Sequence, residues 1–142
     1  VRVYDDFAHH PTAVRETLRG LRARHPEGKL IAVFEPRSAT ASRKLHQAQY
    51  AEAFDPADVA VLAPVGRPEI AEPERLDPLR LAEQIGDRAC AHHDLDAVLA
   101  RILACASRGD SVVLMSNGAF GGIHDRLLGA LAARAVIEDA PG

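Results

Sequence analysis

The 142-residue sequence has two cysteines, one methionine and no tryptophan, and no apolar run in it approaches the roughly 18 residues that a membrane-crossing helix needs. Cys90 and Cys105, each in an alanine-rich apolar setting, are too few for a disulfide framework and read as reduced, buried thiols. No signal-peptide pattern opens the chain, which is expected to be cytoplasmic with no membrane partner. Lys and Arg are scattered rather than striped and the formal net charge is −3, which excludes a nucleic-acid footprint and favours small anions as partners. A G-x-x-x-x-G-K-[ST] phosphate loop is also missing, so an ATPase centre of that kind is not encoded here. Repeats and low-complexity segments are lacking too.

What is present suffices for one domain. Hydrophobic residues make up 47% of a chain whose length lies within the single-domain range. Apolar runs predict strands over 2–5, 30–34, 59–62, 89–92 and 111–115. Between them, helical periodicity predicts helices over 12–24, 41–54, 79–88, 95–107 and 123–134. Val14, Leu18 and Leu21 share one face of the first helix, and Leu45, Ala48 and Ala51 one face of the second. Gly28 helps the chain return, and Asp55-Pro56 stops the second helix. The alternation implies an α/β fold, a mostly parallel sheet with helices on both faces. A proline-rich loop over 64–78 is either a substrate-facing flap or a solvated excursion.

Three strands end in turns that carry chemistry. The first runs into Asp5-Asp6-Phe7-Ala8-His9-His10-Pro11-Thr12, where Pro11 suits the first helical position because its missing N–H would have had no intrahelical partner. In open α/β sheets ligands bind beyond the carboxyl ends of strands, beside helix N-termini that favour anions. Asp5, Asp6, His9 and His10 are expected to converge there, where a carboxylate can accept ribose hydroxyls; an Asx-type turn with two solvated histidines explains the same residues. The second strand runs into Glu35-Pro36-Arg37-Ser38-Ala39-Thr40. The last runs into Ser116-Asn117-Gly118-Ala119-Phe120-Gly121-Gly122-Ile123-His124.

DDFAHHPT, FEPRSAT and MSNGAFGGIH, in this order and spacing over essentially the whole chain, resemble the C-terminal domain of the Mur ligases, ATP-dependent enzymes that build peptidoglycan precursors. The SNG-x-FGG turn is more similar to the branch that joins L-Ala-γ-D-Glu-meso-diaminopimelate tripeptide to UDP-N-acetylmuramate during peptidoglycan recycling than to the branch that adds L-alanine. The resemblance implies a Rossmann-like sheet of about six strands spanning residues 1–142 as a single domain. The chain starts at Val1 in mid-strand without methionine, and the UDP-sugar domain and the central ATPase domain are expected on other parts of a longer enzyme. The isolated domain is then expected to be inactive.

The same resemblance assigns roles. ATP is the implied nucleotide, with Mg2+ held mainly by the central domain. Asp6 matches the residue that hydrogen-bonds the ATP ribose, Phe7 an aromatic packed on adenine, and His9 a histidine near the nucleotide. Arg37 matches an arginine facing the incoming peptide, and a guanidinium can grip a carboxylate through two parallel bonds. Ser116, Asn117 and Gly118 match the turn against that peptide, whereas Gly121 and Gly122 could serve only a tight corner. Ala39 departs from the asparagine often found there, and His124 is a weaker candidate. No catalytic residue is assigned within this domain. The implied reaction phosphorylates the muramate carboxylate, and the peptide amine attacks the resulting acyl phosphate. Positioning of that amine is what a domain of this kind contributes.

Three other readings fit parts of the sequence. An L-alanine-adding Mur ligase would share the first motif. A phosphoesterase could use Asp5, Asp6, His9 and His10 to hold Mn or Zn, and a stand-alone nucleotide-binding module would need only the strand ends.

Overall fold

The computed structural model describes residues 1–36, 47–65 and 76–138. Five strands, β1 (Arg2–Asp6), β2 (Leu30–Phe34), β3 (Val59–Leu62), β4 (Ala89–Ala91) and β5 (Ser111–Met115), form one sheet in the order β1-β5-β2-β3-β4. Every pairing is parallel. The sheet therefore has one strand fewer, among the described residues, than the resemblance implies. Each described apolar run of strand type is already used, and the chain after β5 turns straight into a helix.

β2 is buried along its whole length, as a central parallel strand must be. Its pleat sends Leu30, Ala32 and Phe34 to one core and Ile31 and Val33 to the other. The first core is closed by α1 (Pro11–Arg24), α2 (Gln47–Ala53) and α3 (Pro78–Ile85), the second by α4 (Leu95–Cys105) and α5 (Ile123–Glu138). Helices thus cover both faces, as the alternation of elements predicts.

Helix α1 buries Val14 and Leu18 and begins at Pro11, with His10 as N-cap accepting from the Thr12 N–H at 3.3 Å. The second helix departs from the expected phase. Ala51 packs against the core as expected, but Ala48 is exposed, while Tyr50, Ala53 and the following Phe54 are buried. The larger rings take the core seats because they stack with Phe34, at centroid separations of 5.2 Å for Tyr50 and 5.7 Å for Phe54. Leu45 and residues 66–75 of the proline-rich loop lie outside the described residues. Helices α3 and α4 stop at Ile85 and Cys105, short of the expected ends, and α5 runs four residues further, to Glu138.

The edge of the sheet opposite the motif turns is held by a buried carboxylate. Asp110 accepts the Lys29 N–H and the Ser107 N–H, both at 2.9 Å, and its Oδ2 lies 3.5 Å from Lys29 Nζ. Burial alone would raise the Asp110 pKa, but the two amides and the Lys29 ammonium outweigh it and hold the carboxyl below its usual value. Gly28, just before β2, has φ +80, and a Cβ there would sit 2.3 Å from the Gly109 carbonyl oxygen. The return into β2 therefore needs glycine for conformation and for space.

Candidate functional site

Parallel strands point their carboxyl ends to one edge, and the strand order makes β1, β5 and β2 neighbours there. Asp6 is in register with Met115, and Met115 with Phe34. One step further the Ser116 N–H donates to the Asp6 carbonyl at 3.1 Å and the Glu35 N–H to the Met115 carbonyl at 3.0 Å. Three turns widely separated in sequence thus leave the sheet side by side.

The first turn is built by its own side chains. Asp6 Oδ1 accepts the Ala8 N–H at 2.7 Å and the Thr17 hydroxyl at 3.4 Å, which makes Asp6 the hinge of an Asx-type turn. His9 Nδ1 lies 2.9 Å from the Phe7 carbonyl, and the His9 carbonyl accepts from the Tyr50 hydroxyl. Burial pushes the Tyr50 pKa upward, so that hydroxyl keeps its proton and serves as a donor. Phe7, by contrast, is 73% exposed. A large ring left in water beside a strand end, on a backbone fixed by Asp6 and Tyr50, is a ready stacking surface.

Asp5 points elsewhere. Its Oδ1 lies 3.0 Å from His124 Nε2 at the start of α5, within ion-pair distance but off the line of a hydrogen bond. His124 also meets the Phe120 ring edge to face, at 6.3 Å and 86°. Asp5, Asp6, His9 and His10 thus share the carboxyl edge of β1 as expected but do not gather around one point: Asp6 bonds Ala8 in its own turn and Thr17 in α1, His9 bonds its own turn, His10 caps α1, and Asp5 faces α5. Among the described residues no three His, Cys, Asp or Glu side chains could share a metal ion. That geometry corrects the expectation behind the Mn or Zn phosphoesterase.

The last turn is ordered from within. Ser116 is buried, and its Oγ accepts the Gly118 N–H at 3.1 Å while donating to Glu35 Oε1 at 2.7 Å. Asn117 is exposed at the tip. Beyond it, Phe120, Gly121 and Gly122 have φ of 49°, 58° and 74°, a run of left-handed backbone that turns the chain into α5. A Cβ on Gly121 would come within 2.1 Å of Leu95 Cδ1. Arg37 lies outside the described residues. Glu35, whose sequence signal is a carboxylate at the end of a wholly apolar strand, is the residue to which sequence reasoning gave a place but no role.

The exposed Phe7 ring fits a planar base. Asp6 fits a ribose through Oδ2, since both of its hydrogen bonds among the described residues fall on Oδ1. His9 is half-buried with Nδ1 engaged by its own turn.

A parallel α/β domain whose candidate residues gather at one carboxyl edge has relatives. The sequence profile of the family described as "Mur ligase, glutamate ligase domain" matches residues 1–118, and the chain belongs to the Mur ligase family. It is 40% identical over 138 residues to the UDP-N-acetylmuramate–L-alanyl-γ-D-glutamyl-meso-2,6-diaminoheptandioate ligase of Escherichia coli (strain K12), covering 95% of this chain and 28% of that protein. A UDP-N-acetylmuramate–L-alanine ligase of Symbiobacterium thermophilum is 35% identical over 149 residues, covering 99% of this chain and 30% of the relative. Among solved structures, a murein peptide ligase from Psychrobacter arcticus 273-4 superposes with a TM-score of 0.72 at 34% identity, over 91% of this chain and 27% of that one. The chain thus spans little more than a quarter of the length of such relatives.

Proposed function

We propose that this chain is the C-terminal domain of an ATP-dependent amide-forming ligase of peptidoglycan recycling, which joins L-Ala-γ-D-Glu-meso-diaminopimelate tripeptide to UDP-N-acetylmuramate in the cytoplasm. The observation that carries the proposal is the Ser116–Asp6 bond, because it sets the candidate nucleotide turn directly against the candidate peptide turn. Identity of 40% to the Escherichia coli relative named for that peptide supports the choice of amine.

In this reading ATP activates the muramate carboxylate elsewhere in the enzyme, with Mg2+ held there. The residues of this domain bind and orient. Phe7 offers a face to adenine, Asp6 Oδ2 a hydrogen-bond acceptor to the ribose, and His9 shapes the turn beneath them. The Ser116, Asn117 and Gly118 turn lies against the incoming peptide, and Arg37 grips one of its carboxylates. Holding the amine near the activated carbon and excluding water is a positional contribution, which can reach about 7–11 kcal/mol in well-oriented cases.

The likeness to the Symbiobacterium thermophilum enzyme supports a second reading, an L-alanine-adding ligase. An assay of the full-length ligase with UDP-N-acetylmuramate, ATP and either amine tests both. Tripeptide-dependent product with little from L-alanine is the expected outcome; the reverse preference replaces the first reading with the second. The 142-residue chain assayed alone is expected to form no amide, and amide formation by it would overturn the assignment to a non-catalytic domain.

A further inference from the structure

The Ser116 hydroxyl has two bonds with opposite sense. It gives its proton to Glu35 Oε1 at 2.7 Å and receives the Gly118 N–H at 3.1 Å. A hydroxyl has one proton and rotates freely unless something directs it. A carboxylate oxygen on one side turns the proton toward itself and leaves a lone pair for the amide on the other. Glu35 and Ser116 are 5% and 2% exposed, so water does not readily replace either partner, and a hydroxyl left without its acceptor would be costly.

The backbone holds Glu35 for this task. Its N–H is bonded to Met115, the residue immediately before Ser116, so the end of β2 is anchored to the strand whose turn it orders. The two strands that lead into these turns are covered on both faces: all five residues of β2 and all five of β5 are buried. A carboxylate placed here at the cost of desolvation calls for a reason.

We infer that Glu35 is a positioning residue: through Ser116 it fixes the Gly118 amide, and with it the turn that presents Asn117. The kinetic part of this inference rests on the proposed peptide-facing role of that turn; the conformational part does not.

Glu35→Leu removes the acceptor at similar volume, and Glu35→Gln keeps one. Amide hydrogen exchange of the 142-residue chain is read at Gly118 and, as an internal standard, along β2 and β5. Glu35→Leu is expected to speed Gly118 exchange about tenfold or more relative to the strands, and Glu35→Gln to restore most of the protection. Ser116→Ala removes the acceptor of the Gly118 N–H directly and should reproduce the effect if Glu35→Leu does not fold. Unchanged Gly118 exchange, or acceleration shared equally by the strands, overturns the inference. In the full-length ligase, Glu35→Leu is expected to raise the tripeptide KM severalfold with the ATP KM unaltered. Faster Gly118 exchange with an unaltered tripeptide KM supports the positioning role and removes the peptide-facing reading of the turn.

Discussion

The Ser116 amide donates to the Asp6 carbonyl at 3.1 Å, one step past the ladder pair of Asp6 and Met115. The bond extends the β1–β5 pairing beyond the strands themselves, so the two turns that follow are held at a separation set by sheet geometry. Side chains on either turn can be changed without altering that spacing. Each can therefore be tested by itself.

Asp6 has a structural task in addition to its proposed ligand. Asp6→Ala leaves the Ala8 amide and the Thr17 hydroxyl without their acceptor, at an expected cost of about 1–2 kcal/mol, as for the loss of a capping side chain. Asp6→Asn keeps an oxygen in place and should recover most of this. Urea midpoints at constant slope check it, and equal losses in both variants reject the turn-forming role. In the full-length ligase Asp6→Ala should also raise the ATP KM about tenfold.

Phe7 separates binding from stability. With its ring 73% exposed, Phe7→Ala should change unfolding free energy by no more than about 0.5 kcal/mol. Loss of a base-stacking face, worth about 1–3 kcal/mol, should appear in the ATP KM. A stable variant with a normal ATP KM would deny the ring any part in nucleotide binding.

Gly28 and Gly109 offer a matched pair. Both have positive φ, of 80° and 93°, but a Cβ on Gly28 meets the Gly109 carbonyl oxygen at 2.3 Å whereas one on Gly109 meets nothing within 4 Å. Gly109→Ala should cost the left-handed strain alone, about 1–2 kcal/mol. Gly28→Ala should cost clearly more, since backbone must move. Thermal melts of the two variants decide, and similar losses would contradict the collision.

Acid should weaken the opposite edge. The Asp110 carboxyl is held below its ordinary value of 3.8 by the Lys29 and Ser107 amides and the Lys29 ammonium, against the opposing effect of burial. The native state therefore binds this proton less readily than the unfolded chain. The stabilisation is present above the unfolded pKa and fades as pH falls from about 4 through the lower folded value. Unfolding free energies measured against pH should show Asp110→Asn losing its disadvantage to the native chain in that range. A difference independent of pH would refute the linkage.

Arg37→Lys tests peptide recognition. An ammonium cannot reproduce a planar, two-bond grip, so kcat/KM for tripeptide should fall while the ATP KM stays near that of the native enzyme. Equal defects for both substrates, or none, would return Arg37 to a solvated charge.

Much of the scaffold was legible because its signals are local. Apolar runs mark strands wherever both faces are covered, Pro11 marks the start of α1, and Gly28 marks the return into β2. The site was legible only in part. The motif residues that the structure describes lie at the carboxyl edge, yet the aim of each side chain depends on partners that periodicity does not reveal. Asp6 bends inward because the Ala8 amide is two residues away. Asp5 faces His124, and Glu35 meets Ser116, only because β5 inserts between β1 and β2. In the second helix the alanine pattern placed Ala51 against the core correctly but Ala48 wrongly, since ring size and not spacing decided which residues Phe34 would accept.

That insertion has a consequence for how the domain comes into being. β1 pairs with β5 and with no other strand among the described residues, Arg2 lying opposite Ser111, so within this fold the earliest strand waits for the latest. During translation β2, β3 and β4 can associate as they emerge, while β1 has no neighbour until β5 leaves the ribosome. Such distant pairings are slow to form. The bond that sets the two candidate turns side by side is thus made in the closing step of folding, and a nascent chain halted before Ser111 would carry three joined strands and the first turn without its neighbour.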